Sequence, residues 1–122
     1  MKIQKSSEDY LESMLMMQEQ HGYIRSVDIA AHLGVTKPSV SYATKRLREN
    51  GYITMGPDGL ITLTEKGLEI AERIYERHKL LSSLLIYLGV SKEQAAEDAC
   101  KIEHDLSPES FAAIREASKR FL

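Results

Sequence analysis

The chain has 122 residues, 43% hydrophobic and 28% charged, with a formal net charge of -2. That length suits one domain or two small ones with a modest core, and the mixture is ordinary for a soluble globular protein. No apolar run is long enough to span a bilayer, no basic segment leads into an apolar one at the start, and a single cysteine excludes an internal disulfide. A cytoplasmic protein is expected. Any contact with nucleic acid must come from a local basic patch, because the global charge is weakly acidic.

The first predicted element is a helix over "SSEDYLESMLMMQEQHG", with serines at its head, acids in its first turn and Gly22 after its end. Leu11, Met14 and Leu15 give it an apolar stripe at spacings of three and four. A short helix follows from about Ser26 to Leu33, stopped by Gly34. The next helix restarts in "VTKPSVSYATKRLRENG", where Thr36 can cap, Pro38 sits in the first turn and Gly51 closes it. "YITMGPDGLITLT" then changes character: Ile, Thr and Leu on either side of a turn-forming "GPDG" predict a two-stranded hairpin. Thr64 begins a long helical run that ends at Gly89; Ser91 caps "KEQAAEDACKIEHDL"; and "SPESFAAIREASKRFL" starts again with proline in its first turn. The order is three helices, a hairpin and three helices, with no linker or repeat.

A short helix, a tight turn at Gly34 and a second helix form a helix-turn-helix pattern, and the hairpin that follows extends it to a winged helix. The second helix of the pair would enter the major groove, with the hairpin on the backbone beside it. Between Gly34 and Asn50 lie Lys37, Lys45, Arg46 and Arg48 against the single acid Glu49. Ser39, Ser41 and Tyr42 add neutral hydrogen-bonding groups near the helix start, and Val40 and Leu47 would hold the inner face. With Thr36 and Pro38 at its entry, the candidate DNA-facing set is Thr36, Lys37, Pro38, Ser39, Ser41, Tyr42, Lys45, Arg46 and Arg48. A basic helix alone is usually just solvated; the helix-turn-helix spacing and the following wing are what point to DNA.

"CKIEH" places Cys100, Glu103 and His104 within an arc of about 100° if the helix continues through them. Ala95, Ala99, Ile102 and Leu106 form a separate apolar stripe, so the cysteine lies on the polar side, away from the core where cysteine is usually found. Thiolate, carboxylate and imidazole together suit a divalent transition metal. Three side chains seldom complete a coordination shell. Asp9 and Glu12 share a face of the first helix, and His78 continues the stripe of Leu68, Ala71 and Tyr75 on the long helix. Each has a plain structural reading too: acids in a first turn complement the helix dipole, and a histidine on an apolar stripe is commonly a core residue.

In order and spacing, "SSEDYLESM", the winged helix, "ERHKLL" and "AEDACKIEH" resemble the metal-dependent repressors of the DtxR/MntR family, in their two-domain form. The resemblance implies a mainly α fold, with a winged helix-turn-helix DNA-binding domain over residues 1–64 and a helical dimerisation and metal-binding domain over residues 65–122. It implies a homodimeric repressor that binds double-stranded operator DNA when loaded with iron(II) or manganese(II), and so controls metal-ion homeostasis, without a membrane or a small-molecule substrate. By position, the implied metal ligands are Asp9, Glu12, His78, Cys100, Glu103 and His104. The match is mixed. Asp9 and Glu12 follow the manganese branch, where Cys100 replaces a carboxylate; "ACKIEH" follows the iron branch, where Asp9 replaces a methionine and Ser82 and Ala96 replace ancillary ligands.

Thiolate favours Fe(II), Co(II), Ni(II) or Zn(II) over Mn(II). The expectation is therefore one site of Asp9, Cys100, Glu103 and His104, with Glu12 and His78 serving a second. Iron(II) is the first choice and manganese(II) the second, while zinc(II), cobalt(II) or nickel(II) could bind in vitro. A rival is a winged-helix repressor answering a small organic ligand, with Met14, Met16 and Met17 lining its pocket. A catalytic pairing of Cys100 with His104 has no oxyanion-hole loop or glycine-rich turn beside it, so an enzyme is not expected.

Overall fold

Local signals at the helix ends and at the "GPDG" turn organise the chain in the expected order. The computed structural model describes residues 4–122. Among them are helices α1 (Lys5–His21), α2 (Ser26–Leu33) and α3 (Lys37–Glu49), strands β1 (Ile53–Met55) and β2 (Ile61–Leu63), and helices α4 (Glu65–Tyr87), α5 (Lys92–Ile102) and α6 (Pro108–Ser118). The chain divides into two units, Met1–Glu72 and Arg73–Leu122, and the boundary falls within the continuous helix α4.

In the first unit, each helix buries the apolar side that its spacing defines. Leu11 and Met14 of α1, Ile29 of α2, and Val40 and Leu47 of α3 meet Tyr52, Ile53 and Ile61 of the hairpin region, and Ala71 of α4 closes the cluster. Gly34 turns α2 into α3 with φ 68°, a left-handed conformation that costs glycine little, and Val35 N–H donates to Ala30 O at 3.1 Å. The two strands pair antiparallel, with Thr54 opposite Thr62. Ile53 and Ile61 point inward while the threonines face water, as the two-residue period requires. Ile61 N–H also donates to Ile24 O at 3.0 Å, which fastens the wing to the segment before α2.

The start of α4 lies directly on the backbone that follows α3. Thr64 Oγ1 donates to Gly51 O at 2.7 Å, and Thr64 N–H donates to Tyr52 O at 3.0 Å. Lys66 Nζ reaches Asn50 O at 3.3 Å and stands 4.4 Å from the centre of the Tyr52 ring. Gly67 makes this approach possible: a Cβ there would fall 2.0 Å from Tyr52 O. Because that obstacle is backbone, no rotamer change relieves it.

In the second unit, Ile74 and Leu81 of α4, Ala95 and Ala99 of α5, and Phe111 of α6 are buried. Ser91 caps α5 as expected, accepting from Gln94 N–H at 3.2 Å, and Ser107 caps α6, accepting from Ser110 N–H at 3.0 Å. Ile86, Tyr87, Leu88, Phe121 and Leu122 are exposed, and the rings of Tyr87 and Phe121 stack at 5.0 Å. No described helix is long and apolar enough to cross a membrane.

Two stripes run differently from expectation. On α4 the buried line passes through Ala71, Ile74, Arg77 and Leu81, which leaves His78 half-buried at its border. On α5 the helix ends at Ile102, which is exposed, and the buried line instead runs Ala95, Ala99 and Glu103 at spacings of four.

Gly67→Ala is expected to lower the stability of the metal-free chain by about 1–3 kcal/mol, through overpacking against Tyr52 O. Urea unfolding followed by circular dichroism measures this, and an unchanged midpoint would contradict the close approach.

Candidate functional site

Glu103 is the residue around which the second unit gathers its donors. Its N–H still donates to Ala99 O at 2.9 Å, so the side chain leaves the backbone as if one more helical residue had been added after Ile102. The chain then turns through residues 103–105, because Ser107 must become extended to precede Pro108 and open α6. His104 therefore lies beyond the helix, so its position comes from this turn and not from the helical arc drawn for it in the sequence.

The Glu103 side chain is 0% exposed. Its Oε2 lies 3.0 Å from His78 Nδ1, and its Oε1 lies 3.4 Å from Nε2 of His104, whose side chain is 1% exposed. A donor atom of Cys100 stands within 4.8 Å of one on Glu103. The thiol itself is on the exposed side, as its place on α5 implied.

A carboxylate wholly removed from water carries a desolvation cost of several kcal/mol unless positive charge or hydrogen bonds offset it. The neighbours here are imidazole nitrogen and thiol sulfur, donors typical of divalent transition-metal sites. Two atoms bonded to one ion at about 2.1 Å stand about 3.0–3.4 Å apart in octahedral or tetrahedral geometry. The contacts made by Glu103 have that spacing, so the donor set fits a divalent metal.

On α1, Glu12 is buried and Asp9 half-buried, three residues apart on one face. Glu8 is also buried, a carboxylate that pattern reading passed over because an acid in a first turn looks like a dipole partner. Arg77 was missed too. It is a buried cation beside His78 whose Nη1 donates to Glu103 O at 3.1 Å and Leu106 O at 2.7 Å. No signal in "ERHKLL" singled it out, because consecutive helix residues lie about 100° apart and both can face water.

The candidate DNA-facing residues Thr36, Lys37, Pro38, Ser39, Ser41, Tyr42, Lys45, Arg46 and Arg48 are all exposed. Val40, Thr44 and Leu47 form the buried side of α3, so Val40 and Leu47 do hold the inner face. Thr36 Oγ1 accepts from Ser39 N–H at 3.2 Å and lies 2.8 Å from Ser39 Oγ, which ties the first turn together. Tyr42 is 64% exposed, with the Arg46 guanidinium 5.8 Å from its ring centre. Four cations on this surface, against Glu49 alone, make it a basic patch on an acidic chain.

Two of the three methionines offered to an organic ligand are buried side chains of the described residues. Met14 and Met17 are packed in the core, and a described cavity of about 360 Å³ is lined instead by Glu76, Lys79, Leu80, Ser83, Arg115 and Leu122.

A winged helix with an outward basic helix, and a helical unit that buries a carboxylate among imidazoles beside a thiol, define a metal-responsive transcriptional regulator. Residues 2–60 match the model of the iron-dependent repressor N-terminal DNA-binding domain, and residues 64–121 match that of the iron-dependent repressor metal-binding and dimerisation domain. The chain belongs to this family, the DtxR/MntR metal-dependent transcriptional repressors, and is a metal-responsive repressor and not an enzyme.

It is 36% identical over 121 residues to an uncharacterized HTH-type transcriptional regulator of Methanocaldococcus jannaschii, spanning 98% of this chain and 97% of the relative. It is 40% identical over 108 residues to the transcriptional regulator MntR of Escherichia coli O157:H7, spanning 88% of this chain and 70% of that one. Among solved structures, a manganese-dependent transcriptional repressor in complex with manganese superposes with a TM-score of 0.83 at 27% identity. That match covers 91% of this chain but 51% of the other, so the chain spans about half that repressor's length.

Thr36→Ala removes the α3 cap and should cost about 0.5–2 kcal/mol of stability, whereas Thr36→Ser should cost much less. Chemical unfolding of both variants checks this, and equal losses would show that the hydroxyl is not what matters.

Proposed function

We propose that the protein is a homodimeric, cytoplasmic repressor whose α3 reads operator DNA when each subunit holds a divalent ion, iron(II) ahead of manganese(II). Asp9, Cys100, Glu103 and His104 would hold the ion, with Glu12 and His78 serving a second. The observation that carries this reading is the buried Glu103 carboxylate, in contact with His78 and His104. The ligand set also rests on the position-by-position likeness to the DtxR/MntR family.

The bound ion supplies positive charge that offsets the carboxylates. Without it, the negative charge of Asp9, Glu12 and Glu103 would lack this compensation. With it, one set of ligands would come from the helix that packs under α3 and the other from the helical unit, so occupancy would restrict the posture of the DNA-binding helices. Two copies of α3 must stand about 34–36 Å apart, or a multiple of that, to enter successive major grooves. Stronger binding of the ion to that posture than to others is sufficient to shift the population.

The choice of iron follows from Cys100. A thiolate is a poorer partner for manganese(II) than for later divalent ions, and it lacks the second oxygen with which a carboxylate bridges two metals. The similarity to a structure described as manganese-dependent keeps manganese(II) as the alternative.

Operator binding by the anaerobically purified chain should strengthen at least tenfold with Fe(II), and equal affinity with and without metal would reject the corepressor role. Cys100→Ala should remove most of this gain while sparing the salt-sensitive nonspecific component. Cys100→Glu should move the preference toward Mn(II), measured as the ratio of the two metals' activation midpoints.

On the DNA side, Lys45→Ala should reduce the slope of log affinity against log salt by about 0.9 if its ammonium meets a phosphate. An unchanged slope would remove it from the interface.

A further inference from the structure

We infer that Arg77, which belongs to no proposed ligand set, is a positioning residue for the metal centre: its guanidinium fixes the turn that presents Glu103 and His104. The inference rests on reading the Glu103 cluster as a metal site.

Helix α5 ends without a glycine or any other left-handed residue; its C-cap, Glu103, has φ -57° and ψ -27°. The usual satisfaction of the last carbonyls by a left-handed cap is therefore missing, although helix ends leave such carbonyls in need of donors. Asp105 N–H donates to Ile102 O at 3.0 Å, and Arg77 serves the carbonyls just beyond. Its Nη1 donates to Glu103 O at 3.1 Å and to Leu106 O at 2.7 Å, spanning the turn that contains His104. The cation also stands at the negative end of the α5 dipole.

The guanidinium is held in turn by α6. It lies 5.1 Å from the centre of the Phe111 ring, while Arg115 lies 4.9 Å from the same centre. Consecutive residues of α4 thus grip Glu103 twice, Arg77 by its backbone carbonyl and His78 by its carboxylate. With the backbone of residues 103–106 fixed from α4, Glu103 and His104 need little further ordering when an ion arrives. Both bonds leave one nitrogen, whose two hydrogens are fixed in the guanidinium plane, so a lysine keeps the charge but neither that fixed direction nor the flat face turned to Phe111.

The test titrates the full metal-free chain anaerobically with cobalt(II) alone. The visible d–d bands and the thiolate-to-cobalt charge-transfer band report the site, and circular dichroism reports folding. Arg77→Lys and Arg77→Gln are expected to fold, to bind Co(II) about 10–100-fold more weakly, and to show altered d–d intensities. Leu81→Ala, which destabilises the same unit from its core, should lower the unfolding midpoint but leave the affinity and spectrum of the folded protein unchanged.

Unaltered Co(II) affinity and spectrum in the Arg77 variants would overturn the inference. So would an equal loss of affinity in Leu81→Ala, since that would make Arg77 merely structural. If the Arg77 variants do not fold, Phe111→Leu loosens the guanidinium without deleting it. A weaker Co(II) complex in that variant supports the inference, and an unchanged one overturns it. Absence of the charge-transfer band in the unaltered chain is a separate result that rejects the proposed ligand set, and this inference with it.

Discussion

A carboxylate that water cannot reach is the constraint on which the rest of this protein depends. Glu103 stands where an apolar side chain would continue the Ala95–Ala99 line, and imidazole nitrogens meet its buried oxygens. His78 and His104 approach its two oxygens from different elements, one from the middle of α4 and one from the turn after α5. The same feature that weakens an apolar interior makes a receptive place for a cation. The alanines on the preceding two turns are fully buried, while Cys100 is exposed.

Helix α4 links the parts of the chain that have work to do. Its first turn is locked to the backbone after α3 by Thr64, Lys66 and the bare Cα of Gly67. Three turns later, Arg77 and His78 grip the end of α5. Neither grip resembles a hydrophobic stripe, and Thr64, Lys66 and Arg77 all use backbone carbonyls as anchors. Carbonyls make good anchors because they cannot change rotamer, so a donor that reaches them fixes the path of the chain itself. Under the proposed ligand set, the arrangement would hold the ligands firmly before an ion arrives.

The chemistry of the donors separates this chain from either of the patterns it combines. The proposed ligand set takes its acids from α1 and its thiol from α5. A hard-oxygen set suits manganese(II), whereas one thiolate moves the balance toward iron(II) and its neighbours. In the proposed ligand set, metal preference would turn on this one sulfur atom. The DNA-facing side is simpler: a capped helix shows its basic and hydroxyl-bearing surface to solvent and buries Val40, Thr44 and Leu47 behind it.

How much of this was legible in the residues follows from the range of the forces involved. Thr36, Ser91 and Ser107 cap helices through bonds to an amide three residues on, and "GPDG" closes a hairpin within its own length. Such interactions are complete within a few residues, so the amino-acid order alone determined the element sequence, the winged helix and the basic face of α3. Whether Ile102 or Glu103 turns inward, whether Arg77 is solvated or buried, and how closely Gly67 approaches Tyr52 depend on which other element lies opposite. Those were decided only by the tertiary structure, because burial and the satisfaction of distant carbonyls are properties of packed pairs of elements and cannot be read from one helix at a time.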